Sequence, residues 1–284
     1  MPELPEVEVL VRHLRPVLRG KIVRQVHVLR AKVIFPDLSW PFKKRLTGAR
    51  FASVTRRGKY LLFEFHSAAR NERFTLLGHL GMTGRMFLAG SKDPLPRHAA
   101  VILELDREKF VYEDIRYFGR LTLDLSALQK LGPEPLDGDF TARDFASELK
   151  RSRQPIKVKL LDQSLVAGVG NIYASEALFR AGISPRLAAN RLTPRQVKRL
   201  HANIRNVLKE AIQCGSTIPL NFSGAEKSDG LFYFGRADGA ADGYSERLHV
   251  YDRAGQPCPN CGAAIRRIVQ ASRSTYYCPH CQKT

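Results

Sequence analysis

Tyr60-Leu61-Leu62-Phe63-Glu64-Phe65 decides the fold of the first half of the chain. Together with Val101-Ile102-Leu103-Glu104-Leu105 and Phe110-Val111-Tyr112, this stretch is short, rich in β-formers and bounded by glycine, proline or charged turns, which is how strands read. Residues 21 to 125 are therefore expected to be mainly strand, forming a β-sandwich or barrel. Toward the N-terminus, Val7, Leu10, Leu14, Val17 and Leu18 recur at three- and four-residue steps, Pro5 suits a first helical turn, and Gly20 stands where a stop is expected. This pattern predicts a short amphipathic helix laid against the strands.

After Gly132-Pro133-Glu134-Pro135 the helical period takes over, from about residue 141 to 214. Thr193-Pro194 reads as an N-cap with proline in the first helical position, opening a helix through Gln213 that Gly215 can close. Residues 216 to 247 hold many Gly, Ser, Asp and Ala and little periodicity, and predict a long loop. Loops of that length are usually functional or disordered. The expected fold class is α+β, with domains at 1–132, 133–253 and 254–284.

Charge narrows the function. The 284 residues include 46 Lys plus Arg against 27 Asp plus Glu, a net charge of +19. Such an excess points to a polyanion, with nucleic acid the first candidate and an anionic membrane surface the second. No stretch approaches the roughly 18 apolar residues of a helical span. The opening MPELPEVEVL lacks the basic and apolar regions of a signal peptide, so a cytoplasmic protein is expected. Four of the five cysteines fall into two tight pairs, and Cys214 lies outside both.

Those pairs are Cys258-x2-Cys261 and Cys278-x2-Cys281, sixteen residues apart. Each can set two thiolates on one tetrahedral ion, and the spacer suits a β-hairpin, so one structural Zn2+ is expected. Four thiolates leave no open position for catalytic water. His280 lies inside the second pair and could replace a thiolate, although a solvated histidine is the plainer reading. The segment 254–284 carries Arg266, Arg267, Arg273 and Lys283 with no Asp or Glu, a charge pattern suited to phosphates.

The N-terminus offers different chemistry. A small second residue permits removal of the initiator methionine, which would leave Pro2 with a free secondary amine beside Glu3 and Glu6. Such an amine can attack an electrophilic carbon and collapse to an iminium, and nearby carboxylates can supply protons. The same residues also make an ordinary acidic helix start.

Met-Pro-Glu-Leu-Pro-Glu-Val-Glu at 1–8 resembles the start of the formamidopyrimidine-DNA glycosylases of the Fpg/Nei family. Arg57-Gly58-Lys59-Tyr60-Leu61, His79-Leu80-Gly81-Met82-Thr83-Gly84, Asp114-x-Arg116-x-Phe118-Gly119, Leu131-Gly132-Pro133-Glu134-Pro135-Leu136, Val166-Ala167-Gly168-Val169-Gly170-Asn171-Ile172-Tyr173-Ala174 and the cysteine hairpin follow in family order. The resemblance covers essentially the whole chain. It implies an N-terminal β-sandwich with a flanking helix, a helix–two-turn–helix domain and a four-cysteine β-hairpin zinc finger. It also implies a monomeric, bacterial-type base-excision enzyme acting on double-stranded DNA with oxidised bases or abasic sites, through glycosylase and AP lyase steps.

By the same resemblance, Pro2 attacks C1′, Glu3 protonates the sugar ring oxygen, Lys59 assists β-elimination, Arg273 grips phosphates and assists δ-elimination, and Glu6 supports. Met82, Arg116 and Phe118 match residues that fill the space left by the extruded base, with Arg116 on the estranged base. His98, Arg153 and Asn171 match DNA-binding positions, and Asn171 opens an expected helix whose N–H groups suit a phosphate. The chain departs from its relatives in the segment from Ser216 to Arg247, which is longer than usual, and in Val250-Tyr251-Asp252-Arg253, where relatives carry glycine at the third position. In the family that loop covers the everted base. Oxidised purines, 8-oxoguanine and formamidopyrimidines, are the expected lesions; the alternatives are a Nei-like preference for oxidised pyrimidines and a non-catalytic damaged-DNA-binding protein.

Overall fold

The computed structural model describes residues 2–215 and 248–283. These fall into two compact units, one of Pro2 with residues 6–129, the other of Glu3–Pro5 with residues 130–215 and 248–283. The expected loop at 216–247 lies outside the described residues.

In the first unit, helix α1 (Leu4–Leu18) buries Val7, Leu10, Val11, Leu14 and Leu18. Gly20 follows at φ +83°, a conformation glycine adopts without strain. Among the described residues, eight strands of this unit form two antiparallel sheets. One has the order β1 (Gln25–Val28), β6 (Ala99–Glu104), β7 (Glu108–Asp114), β5 (Gly84–Gly90); the other has β2 (Arg50–Arg57), β3 (Tyr60–Ser67), β4 (Glu72–His79), β8 (Arg120–Thr122).

Along β3 the side chains of Leu61, Phe63 and Phe65 are buried, while Glu64 between them is exposed. That period of two aims one face inward. Phe63 meets Phe110 of the other sheet edge-on, ring centroids 5.4 Å apart, and both sheets share one apolar core with α1. The architecture is a β-sandwich.

The region read as mainly strand also contains helix α2 (Ser39–Leu46). It buries only Phe42 and Leu46, too short a stripe to announce itself by periodicity.

The second unit is helical: α3 (Ala142–Lys150), α4 (Ile156–Leu160), α5 (Asn171–Arg180) and α6 (Pro194–Gln213), closed by the hairpin β9 (Arg266–Gln270) and β10 (Arg273–Tyr277). Every residue of α5 from Ile172 to Phe179 is buried, so α5 is the hub around which the unit packs. Phe179 at its C-terminal end enters a cluster with Val250, Ile265, Tyr276, Cys258 and Cys278, which seats the cysteine module on the helix. Helix α6 begins where the sequence places it. Thr193 accepts from the Gln196 N–H at 3.3 Å, and the Gln196 side chain accepts from the Thr193 N–H at 2.9 Å, a capping box. Among the described residues no helix is long and apolar enough to cross a membrane.

Candidate active site and zinc centre

Glu3 is buried at the N-terminus of α5, where its carboxylate accepts from the Ile172 N–H at 2.9 Å and the Tyr173 N–H at 3.3 Å. A helix start has unpaired N–H groups and a positive dipole end, so a carboxylate there is held in place and stabilised. These are the donors that the sequence suggested for a phosphate. Chain geometry at the approach is tight: a Cβ on Gly170 would lie 2.3 Å from Glu3 Cδ, and one on Gly168, at φ +84°, 2.6 Å from Leu4 Cβ. Two glycines of the Val166–Asn171 stretch are thus required by how closely the N-terminal residues pass. Pro2, adjacent to Glu3 in the chain, is itself buried.

Asn171 does not point outward. Its amide donates to the Ser274 carbonyl at 2.9 Å and accepts from the ammonium of Lys157. Lys157, on α4, is buried and also donates to Thr275 Oγ1 at 3.0 Å and the Ser274 carbonyl at 3.3 Å. Burial pushes its pKa down to about 8; the Glu3 charge opposes that shift and the Arg273 charge adds to it. Lys157 is not among the expected site residues. A lysine in Ile-Lys-Val-Lys-Leu reads as a solvated helix face, and only the three-dimensional approach of the hairpin buries it.

Arg273 is exposed and opens β10. The turn before it, Ala271 and Ser272, has φ +46° and +59°, the left-handed pair of a tight hairpin. Arg153 is exposed in the stretch between α3 and α4, beside half-buried Ser152 and exposed Gln154, in a segment that the backbone ties to the chain near Asn190.

In the first unit, Lys59 lies in the turn joining β2 to β3 and is 6% exposed, so it is not a solvated turn lysine. Glu6, in the first turn of α1, is buried. Opposite Tyr60 in the sheet is His79, ring centroids 4.8 Å apart. Burial first, then the charges of Lys59 and Arg120, push the His79 pKa down to about 4 against the opposing Asp114 charge. Its Nδ1 accepts from the Gly81 N–H at 3.2 Å, leaving Nε2 to carry the proton of the neutral ring.

Met82, Arg116 and Phe118 come together from two separate segments. The Arg116 guanidinium donates to Met82 Sδ at 3.3 Å and lies over the Phe118 ring, 4.6 Å from its centroid. Met82 is 40% and Phe118 50% exposed, so these are not core residues. Two apolar groups and a guanidinium form one projecting cluster. His98 is half-buried, its ring 6.5 Å from that of Tyr117 in the same unit.

The Sγ atoms of Cys258, Cys261, Cys278 and Cys281 all lie within 4.8 Å of one another. Two of the separations are 3.8 Å and 3.5 Å, too long for a disulfide and close to the edge of about 3.8 Å of a sulfur tetrahedron around zinc, given Zn–S distances of about 2.3 Å. The four cysteines fit one structural zinc ion, and His280 is not part of the cluster.

Comparison with known proteins agrees with this geometry along the chain. Residues 1–121 match the formamidopyrimidine-DNA glycosylase N-terminal domain, 131–222 the H2TH domain of the same proteins, and 255–284 the zinc finger found in FPG and IleRS. Formamidopyrimidine-DNA glycosylases of Pelotomaculum thermopropionicum and Paracoccus denitrificans are 42% and 41% identical, covering 100% of this chain and 99% and 100% of theirs. A Lactococcus lactis Fpg in complex with abasic-site-containing DNA is similar with a TM-score of 0.86 at 32% identity, covering 99% of this chain and 100% of that one. The Lactococcus lactis protein bound to Fapy-dG-containing DNA gives 0.85 at 32%, with the same coverage. By domain order, whole-length identity and fold, the chain belongs to the formamidopyrimidine-DNA glycosylase family.

Proposed function

We propose that this chain is a bifunctional DNA glycosylase and AP lyase that removes oxidised purines, 8-oxoguanine and formamidopyrimidines, from double-stranded DNA in the bacterial cytoplasm. The observation that carries the reading is Glu3, a buried carboxylate fixed by two helix N–H donors and adjacent in the chain to Pro2. After removal of Met1, the Pro2 amine attacks C1′ of the damaged nucleoside and the oxidised base departs. The Glu3 carboxylate takes the proton that the Pro2 nitrogen sheds on bonding to C1′ and gives it to the sugar ring oxygen; the bond from C1′ to that oxygen breaks, the ring opens, and the nitrogen lone pair forms the iminium. The iminium acidifies the C2′ proton. Its removal, which Lys59 assists, expels the 3′ phosphate, and a second elimination, assisted by Arg273, expels the 5′ phosphate and leaves a one-nucleoside gap.

The target base must leave the stack for this attack. Met82 and Phe118 fill the space as apolar wedges, and Arg116 hydrogen-bonds the estranged base, expected to be cytosine. His98, Arg153 and Asn171 serve the DNA backbone, Asn171 through the framework it forms with Lys157. Glu6 supports the site, and Cys258, Cys261, Cys278 and Cys281 with their zinc ion hold the hairpin that presents Arg273.

Borohydride reduction during reaction on an 8-oxoguanine:C duplex tests the assignment. The trapped adduct should map to Pro2 in chains that have lost Met1. An adduct on a lysine side chain, or one formed with Met1 retained, refutes it, and preferential cleavage of thymine glycol over 8-oxoguanine refutes the purine preference.

A further inference from the structure

Asp114, the last residue of β7, is completely buried, and four donors converge on its carboxylate. Oδ1 accepts from the Thr83 hydroxyl at 2.6 Å and the Arg116 N–H at 3.1 Å; Oδ2 accepts from the Gly119 N–H at 2.8 Å and the Tyr112 hydroxyl at 3.4 Å. The Thr83 oxygen also accepts from the Arg116 N–H, at 3.2 Å. Thr83 follows Met82, while Arg116 and Gly119 bracket Phe118. One carboxylate therefore ties together the two segments that carry the projecting cluster.

The local backbone needs such a tie. Tyr117, between Arg116 and Phe118, sits at φ +52°, a region that bulky side chains rarely occupy without surrounding constraint. The bonded N–H groups of Arg116 and Gly119 close the turn on both sides of it. The two segments also approach through glycine backbone, since a Cβ on Gly81 would fall 2.5 Å from the Gly119 nitrogen. The Asp114 carboxylate is buried, so water does not readily replace a donor it loses, and that loss costs more than at an exposed carboxylate.

We propose that Asp114 and Thr83 are positioning residues that hold Met82, Arg116 and Phe118 assembled before DNA arrives, so that eversion of a stacked base depends on them more than cleavage of an abasic site does. The inference rests on the reading of these three residues as the wedge. A wedge already ordered loses less side-chain and backbone freedom when it enters the stack.

Thr83→Val removes the hydroxyl at constant shape, Thr83→Ser retains it, and Asp114→Asn replaces an acceptor by a donor among N–H groups. Single-turnover excision of 8-oxoguanine, nicking of a preformed abasic duplex, unstacking of a neighbouring 2-aminopurine and the thermal midpoint are measured on each. Thr83→Val should slow excision and unstacking about tenfold and abasic nicking less than about threefold, with Thr83→Ser within about twofold of the parent, the scale of one lost buried hydrogen bond. Asp114→Asn should show the same selectivity with a larger loss. Equal losses on both substrates, or unchanged unstacking in Thr83→Val, overturn the inference while leaving the glycosylase reading intact. A parent chain inactive on both substrates overturns the two together.

Discussion

A carboxylate beside an amine becomes useful only when its position is fixed, and at Glu3 the fixing groups are backbone N–H donors 169 and 170 residues away in sequence. Gly170 leaves the room for this contact. Its φ of −133° is accessible to any residue, so Gly170→Ala introduces no backbone strain and acts only by pushing a methyl group into Glu3. Excision by Gly170→Ala should fall about 100-fold, the effect of misplacing a reacting group by roughly 1 Å, while circular dichroism stays unchanged. Parent-like excision would show that Glu3 tolerates displacement.

His79 provides a second check at this scale. With a folded pKa of about 4 against 6.5 for the ordinary side chain, the unfolded chain binds more protons between those values. Its contribution to stability is therefore present above pH 6.5 and is lost as the pH falls toward 4. Its ring resonances should stay in the neutral position down to below about pH 5, given the depressed pKa; titration at the ordinary histidine value would contradict the burial that causes the shift. Glu3 and Lys59 are recognisable from their motifs, but Glu3's partners are not, and Lys157 carries no signal. Its burial comes from α5 and β10, segments that only the folded chain brings to it.

At the scale of elements, legibility follows local information. The start of α6 is written in Thr193-Pro194, because a cap and a first-turn proline act within one turn. The cysteine hairpin is equally local. Sheet order is not: β1 pairs with β6 in the register Gln25↔Glu104, between segments far apart in the chain, and no short pattern encodes which strands become neighbours. Helix α2 escapes for a different reason, since Phe42 and Leu46 alone make too small a stripe.

Thr193→Ala should lower stability by about 1 kcal/mol, the ordinary value of an N-cap, measured by urea denaturation. An unchanged midpoint would mean that the capping bonds are replaced by water at no loss. The zinc hairpin is more consequential. The hairpin packs on Phe179 of α5 through Ile265 and Tyr276 as well as through the cysteines, and metal binding at such a site is part of folding energy. Chelation should release one zinc per chain and weaken DNA binding, because Arg273 then loses the turn that presents it. Full affinity after complete zinc release would separate the hairpin from DNA recognition.

For the whole molecule, the proposed function gives the net charge of +19 and the cluster of Met82, Arg116 and Phe118, read as a wedge, separable contributions to binding. Basic side chains that neutralise phosphates release counterions regardless of sequence, so each contact steepens the dependence of affinity on salt. Met82 and Phe118 are uncharged, and Arg116, engaged with their side chains, is assigned to a base rather than a phosphate. Binding to lesion-containing and undamaged duplexes should therefore give two parallel lines when log affinity is plotted against log salt. For about 6–10 phosphate contacts, both should fall by about 10³ to 10⁵ between roughly 50 and 200 mM. The lesion should change the offset and leave the slope. Measured by fluorescence anisotropy with a catalytically silent substrate analogue, a steeper line for the lesion duplex would mean that new phosphate contacts form on eversion, and recognition would then be partly electrostatic. Parallel lines would place discrimination in the wedge and the base pocket, with the basic surface supplying affinity common to all DNA.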